Sequence, residues 1–278
     1  MFAGDVILSR GVRRAILASH DPALPFRKIA PLLAGADIAF VNLESPFSDR
    51  GLYHETGLIF HAPPDAIAGL QLAGIDIAST ANNHSRDCAN YGVEYTVHWL
   101  QSHGIAPLGS GETAAQAHAG VVLVRQGIRF GFLGYTYDQK NGNWHDEDDR
   151  IAMTDVPAMK ADVAVIKKRC DVVIVSMHNG VEYAPQPSKN QIDFAHAAID
   201  AGAVLVIGHH PHVIQRSEKY RNGLIYYSLG NFVFDQYQRI ATQHGEIADV
   251  KFVGPSITTA RVIPVRITPT GPEIESGP

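Results

Sequence analysis

Three imidazoles fall within four positions in Gly208-His209-His210-Pro211-His212, directly after the apolar run Val204-Leu205-Val206-Ile207. Such a run reads as a buried strand, and open α/β sheets build their sites from the loops at the carboxyl ends of strands. Crowding several rings into one loop is costly, because they compete for the same hydrogen-bond partners. A metal ion resolves the competition, since neutral imidazole is its commonest nitrogen ligand. Taken alone, the segment also reads as a set of surface loop histidines.

Four other apolar runs deliver the same kinds of residue. Gly4-Asp5 belongs to the first, Asn42-Leu43-Glu44 follows the second, Ala81-Asn82-Asn83-His84 the third, and His178-Asn179-Gly180-Val181-Glu182 the fourth. One Asp or Asn at a strand end is explained by turn and cap chemistry. Five strand ends carrying Asp, Glu, Asn or His towards one sheet edge point instead to a mixed oxygen and nitrogen metal site. Such a site lowers the pKa of bound water and polarises a phosphoryl or carbonyl oxygen.

The elements that must position these residues are legible as period. Core strands are expected over residues 2–8, 38–41, 75–79, 172–177 and 204–207, and helices over 26–33, 64–73, 93–103, 156–169 and 190–201. Residues 121–125 and 128–133, joined by Gln126-Gly127, read as a β-hairpin. Residues 224–229, 246–252 and 258–267 are again β-rich. The expectation is an α/β fold, a β-sandwich of mixed strands flanked by helices. The polar, acid-rich segment 138–150 is the best candidate for a mobile loop.

With 278 residues, 45% of them hydrophobic, the chain can bury one large core or two small ones. A net charge of −5 and the absence of any Lys/Arg cluster argue against a nucleic-acid partner held by phosphate contacts. Two cysteines, Cys88 and Cys170, make no disulfide framework. No stretch approaches the roughly 18 apolar residues of a membrane helix. The chain reads as cytoplasmic as written, or as extracytoplasmic or membrane-associated if an N-terminal anchor was removed. Oligomeric state is not legible.

The ordered series Gly4-Asp5-Val6, Asn42-Leu43-Glu44, Ala81-Asn82-Asn83-His84, His178-x-Gly180-x-Glu182-Tyr183, Gly208-His209-His210-Pro211-His212 and Ser228-Leu229-Gly230-Asn231-Phe232 resembles the CapA/PgsA family of capsule and poly-γ-glutamate biosynthesis proteins. It spans residues 4 to about 235. That family is similar in turn to the calcineurin-like metallophosphoesterases. The resemblance implies one domain over residues 1–278 with a four-layer αββα sandwich and a site for one or two divalent ions. Asp5 and His212 would bind the first ion, Glu44 would bridge, and Asn83, His178 and His210 would complete the second. His84 matches the histidine that protonates the leaving group, and His178 is counted with it among the catalytic residues. His209 is a possible substitute ligand. Asn42, a neighbour of Glu44 that could also reach the ion, joins Glu182, His209 and Asn231 as expected substrate-binding positions. Mixed Asp, Glu, Asn and His ligands suit Mn²⁺, Fe or Zn²⁺, and a carboxylate-rich first position also accepts Ca²⁺.

Four departures stand out. The phosphoesterase pattern Asp-x-His becomes Asp5-Val6-Ile7, and the aspartate of the second motif becomes Glu44. His-Trp-Gly becomes His178-Asn179-Gly180, and the segment 87–92 is longer than the usual Asp-Tyr-Gly. Three functions are compatible with the residues. The first is a metal-dependent hydrolase acting on a phosphoester, or on an amide of a peptide or polyglutamate polymer. The second is a metal-assisted peptide epimerase, and the third a non-catalytic polymer-binding component of a capsule synthesis or export complex. A peptide or anionic polymer is the expected partner, for which Arg10, Arg13 and Arg14 offer local positive charge.

Weaker signals have plainer accounts. Gly109-Ser110-Gly111-Glu112-Thr113-Ala114 fits a dinucleotide-loop pattern, but a Gly turn before a helix explains it as well. His20, His98, His103, His118, His196 and His244 read as surface or satisfied positions. His54 and His61 could line a cleft, and Tyr135, Tyr137 and Trp144 could form an aromatic wall. Asp146, Glu147, Asp148 and Asp149 read as a solvated face, and Cys88 as a buried thiol. The serines lack a G-x-S-x-G elbow.

Overall fold

Strands form where the apolar runs predict them, but they divide between two facing sheets. The computed structural model describes residues 1–138 and 149–275. Trp144, Asp146, Glu147, Asp148 and most of the acid-rich segment expected to be mobile lie outside the described residues.

Strands β1 (Phe2–Val6), β2 (Phe40–Leu43), β3 (Ile77–Ser79) and β4 (Ala106–Leu108) run parallel in the first sheet. The second sheet comprises β5 (Val121–Arg125), β6 (Ile128–Thr136), β7 (Val172–His178), β8 (Leu205–His209), β9 (Ile214–Tyr220) and β10 (Gly223–Leu229). Its central strands β6, β7, β8 and β10 are parallel, and β5 and β9 close it antiparallel at either edge. The chain then returns to the first sheet through β11 (Asn231–Val233), β12 (His244–Val253), β13 (Ser256–Thr268) and β14 (Gly271–Ile274).

The period of two along each strand sorts side chains between layers. Phe40, Ile77 and Leu108 of one sheet meet Phe132, Ile174, Leu205 and Ile207 of the other in a core between the sheets. On the outer face of the first sheet, Val12 and Ile16 of the helix Arg10–Ser19 and Leu70 of the helix Ile67–Leu72 pack against Ala3 and Val41. On that of the second, Met159 and Val163 from Val156–Ile166 and Phe194 and Ala198 from Lys189–Ala201 cover Val173, Val175 and Val206. Each large apolar side chain buried this way stabilises the fold by roughly 1.5–3 kcal/mol. The result is a four-layer αββα sandwich of mixed sheets, the layering expected from the motif series.

The same alternation aims the chemistry. Asn42 lies two residues beyond Phe40, His178 four beyond Ile174 and His209 two beyond Ile207, so all three face the space between the sheets. Carboxyl ends of β1, β2 and β3 therefore face those of β7 and β8 where the two sheets meet, rather than lining one edge of a single sheet.

Close backbone approach supports this edge. A Cβ on Gly208 would lie 2.0 Å from the Tyr227 carbonyl oxygen, so nothing larger than glycine fits between β8 and β10. Gly208→Ala is expected to cost about 1–3 kcal/mol or more, read as a lowered urea midpoint with unchanged slope.

Some elements differ from expectation for local reasons. The 26–33 helix is a 3₁₀ turn, Leu24–Phe26, and a separate short helix, Ala30–Leu33, because Pro31 offers no N–H to a continuous helix. The helix Arg10–Ser19 has no counterpart among the expected elements, since Val12 and Ile16 are its only buried residues. Edge strand β9 is mostly polar and lacks an apolar run. The expected hairpin forms, with Gln126 and Gly127 at φ 49° and 78° as a type I′ turn requires. The Gly109–Ala114 segment is a turn before the short helix Ala114–His118, capped by Thr113.

Candidate metal centre

Asp5 is fully buried where the two sheets meet. Asn42 Nδ2 donates to its Oδ1 (2.8 Å), and the His210 backbone N–H donates to its Oδ2 (3.2 Å). His212 Nδ1 stands 3.3 Å from Oδ2 and His209 Nδ1 3.4 Å from Oδ1. Burial alone would raise its pKa, but the imidazoles of His209 and His212 hold it well below the usual carboxylate range.

Glu44 is the opposite case. Burial, followed by repulsion from Asp5 and Glu182, pushes its carboxyl well above the ordinary value. Both its oxygens are buried without a hydrogen bond among the described residues. Yet Oε1 is ringed by three imidazole nitrogens, Nε2 of His178 and of His212 at 3.7 Å and Nε2 of His84 at 3.9 Å. A buried carboxylate is costly unless something pairs with it. Ligand atoms of Glu44, His210 and His212, and again of Asp5, Glu44 and His178, come within 4.8 Å of one another. An ion with ligands at about 2.0–2.2 Å spans such gaps.

The remaining expected ligands converge here too. His178 Nε2 lies 2.7 Å from Asn83 Oδ1, and the His178 and His210 rings stand 4.8 Å apart. Burial, then the neighbouring His210, lowers the pKa of His178 far below that of free imidazole. Burial and His212 bring His210 down to about 3, so both rings stay neutral lone-pair donors at physiological pH. Asn231 Oδ1 can only accept, so the 3.1 Å contact places the proton of His212 on Nδ1 and leaves Nε2 facing Glu44. His210 and His212 hold φ of 97° and 59°, a conformation uncommon outside glycine and concentrated at functional sites.

Comparison with known proteins shows the family. The family profile described as bacterial capsule synthesis protein PGA_cap matches residues 1–236. The chain belongs to the PGA_cap family. The capsule biosynthesis protein CapA of Bacillus anthracis is 32% identical over 249 residues, covering 84% of this chain and 59% of that protein. The PGA biosynthesis protein CapA of Bacillus subtilis (strain 168) is 28% identical over 239 residues, covering 84% and 63%. The chain thus spans about three-fifths of the length of these relatives. Among solved structures, a hypothetical protein from Thermus thermophilus shares the fold, with a TM-score of 0.59 at 17% identity over 96% of this chain and 98% of that one.

In this PGA_cap member, the departures from the phosphoesterase pattern have visible consequences. Ile7 is fully buried in the core beneath the helices, so no ligand comes from that position. His209, fully buried and stacked on Phe40, carries two ring nitrogens without a hydrogen bond among the described residues. It lies beside Asp5, with Nδ1 3.4 Å from Oδ1. Asn42 is likewise buried within β2, in register with Asp5. Glu182 is exposed at the rim, and Asn231 is buried behind His212.

Sequence reasoning missed the support around His84. Asp87 Oδ2 lies 2.7 Å from His84 Nδ1 and also accepts the Phe60 backbone N–H (2.6 Å). The Phe60 ring stacks on the His84 imidazole at 3.8 Å, and Arg10 covers Phe60 at 4.5 Å from its centroid. The H-x-x-D spacing was the available signal for Asp87; none pointed to Phe60. The aromatic wall is partly realised: Tyr137 stands 4.7 Å from His210, whereas Tyr135 is buried in the core under the helices. His54 and His61 both line a cavity of about 360 Å³, His54 exposed and His61 buried and bound to the Ser48 and Leu52 carbonyls. His98, His103, His118, His196 and His244 find partners elsewhere, and the half-buried Cys88 thiol is pushed up to about 12 by burial. No helix of the described residues is long and apolar enough to cross a membrane.

Proposed function

We propose that this chain is a metal-dependent hydrolase that cleaves a phosphoester, or an amide of a peptide or polyglutamate polymer, in capsule-polymer metabolism. The observation that carries the reading is Glu44 Oε1, buried, without a hydrogen bond among the described residues and facing three imidazole nitrogens. Asp5 and His212 would hold one ion, Asn83, His178 and His210 a second, with Glu44 between them. A bound divalent ion would supply a more acidic water and polarise the oxygen under attack.

The chain's own groups account for the rest. Asp87 fixes His84 through Nδ1, which leaves Nε2 turned towards Glu44 and able to pass a proton to a leaving group. Asn231 and Asn42 orient His212 and Asp5. His178, without solvent exposure, is better suited to holding an ion than to shuttling protons. The two relatives, named for capsule and PGA biosynthesis, support a polymer substrate.

Elemental mass spectrometry of protein purified without chelator or added metal tests the reading. One or two transition ions per chain are expected. A chain that retains none, or only a hard cation such as Ca²⁺, overturns it.

A further inference from the structure

The arginines that the sequence offers for an anionic substrate are engaged elsewhere. Arg10 pairs with Asp235 and donates through Nη1 to the Gly57 carbonyl (2.9 Å). Arg13 lies over the Tyr53 ring at 4.5 Å, and Arg14 Nη1 donates to the Glu55 carbonyl (2.7 Å). All three therefore fasten the 53–60 loop onto the helix Arg10–Ser19.

Arg239 is placed differently. It is exposed, makes no ion pair among the described residues, and lies with its guanidinium 4.6 Å from the Tyr183 ring centroid. Tyr183 in turn is tied to the centre twice. Its backbone N–H donates to the Pro211 carbonyl (2.8 Å), and its ring lies 6.2 Å from that of His212. A chain of hydrogen bonds runs alongside, from Gln236 Nε2 to the Tyr183 hydroxyl (3.2 Å), from Asn231 Nδ2 to Gln236 Oε1 (3.3 Å), and between Asn231 and His212. Thr242 Oγ1 donates to the Arg239 carbonyl (2.9 Å) and fixes its backbone. The guanidinium thus stands no farther than about 11 Å from the His212 ring. Stacking occupies its face and leaves the N–H edge free for a planar anion. An extended chain covers that separation in about three residues at ~3.4 Å each.

We propose that Arg239, held on Tyr183, is a specificity-determining residue that binds an anionic oxygen group, carboxylate or phosphate, of a chain-like substrate engaged at the metal centre. Supporting it is the overall charge of −5, against which a polyanion needs a local cation. The proposal rests on the hydrolase reading for what occupies the centre.

Binding to the whole protein, measured by calorimetry, tests it with three probes: a γ-linked glutamate oligomer, its fully amidated neutral counterpart, and a phosphate-ester chain of similar length, phosphodiester-linked glycerol units. Arg239→Gln is expected to weaken the oligomer or the phosphate ester on the order of tenfold, as for a lost charge-assisted hydrogen bond. Arg239→Lys should recover most of the loss, and the neutral oligomer should be unaffected. A loss for the glutamate oligomer alone identifies a carboxylate, and a loss for the phosphate-ester chain alone a phosphate. Unchanged binding of both anions, an equal loss for the neutral oligomer, or failure of the wild type to bind either anion overturns the proposal, as does an equal loss in Arg13→Ala, Arg14→Ala. Metal content on the same samples keeps the two readings apart, since a metal-free wild type would sink the hydrolase reading while the Arg239 comparison remains readable.

Discussion

Glu44→Gln is expected to strip the centre of metal while making the metal-free protein more stable, two effects of opposite sign from one change. As a ligand between two positions, Glu44 should matter more than the supporting groups whose loss typically costs 10–100-fold in metal affinity, so a loss of about a hundredfold or more is expected. In the metal-free chain the same carboxyl is a liability, because burial and the nearby Asp5 hold its pKa well above 4.5. A carboxyl whose folded pKa is raised favours folding least when ionised. Metal-free wild type should therefore lose stability as the pH rises from about 4.5 through the raised value, and Glu44→Gln should abolish that dependence. Urea midpoints at pH 5 and pH 8, with chelator and with added metal, measure both effects. A variant that keeps its metal, or is destabilised without it, would show that Glu44 has another partner.

His84→Ala is expected to leave the metal in place and lower turnover by about 10²–10⁴-fold, the usual contribution of a positioned general acid. The loss should be greater for amides and alkyl esters than for an aryl ester whose leaving group needs no proton. Asp87→Asn should act in the same direction and more weakly, since an amide can still hold Nδ1 but no longer stabilises the charged ring. The substrate panel is thus the readout that separates proton donation from mere packing against Phe60. Equal loss on every substrate, or retained turnover in His84→Ala, would assign His84 a structural role, whereas a wild type that turns over no member of the panel would favour a chain that binds polymer without cleaving it.

Much of the site is legible in the residues alone. The motif residues Asp5, Glu44, Asn83, His178, His210 and His212 stand next to apolar runs, and a run of that kind announces a strand end by itself. The Gln126-Gly127 turn and the Ser188 capping box before Lys189–Ala201 are equally local, because two to four adjacent residues decide them.

Residue types at the strand ends and the period that buries their neighbours are local properties, and membership of the PGA_cap family is legible in them. Packing of the two sheets, by contrast, brings Asp5 to His210 from 205 positions away and lays Phe60 on His84. It likewise decided that Arg10, Arg13 and Arg14 hold a loop while Arg239 remains open to a ligand. The reason is physical. Propensity and period act over a few residues, whereas the partner of a charge or a ring is set by how distant strands pack.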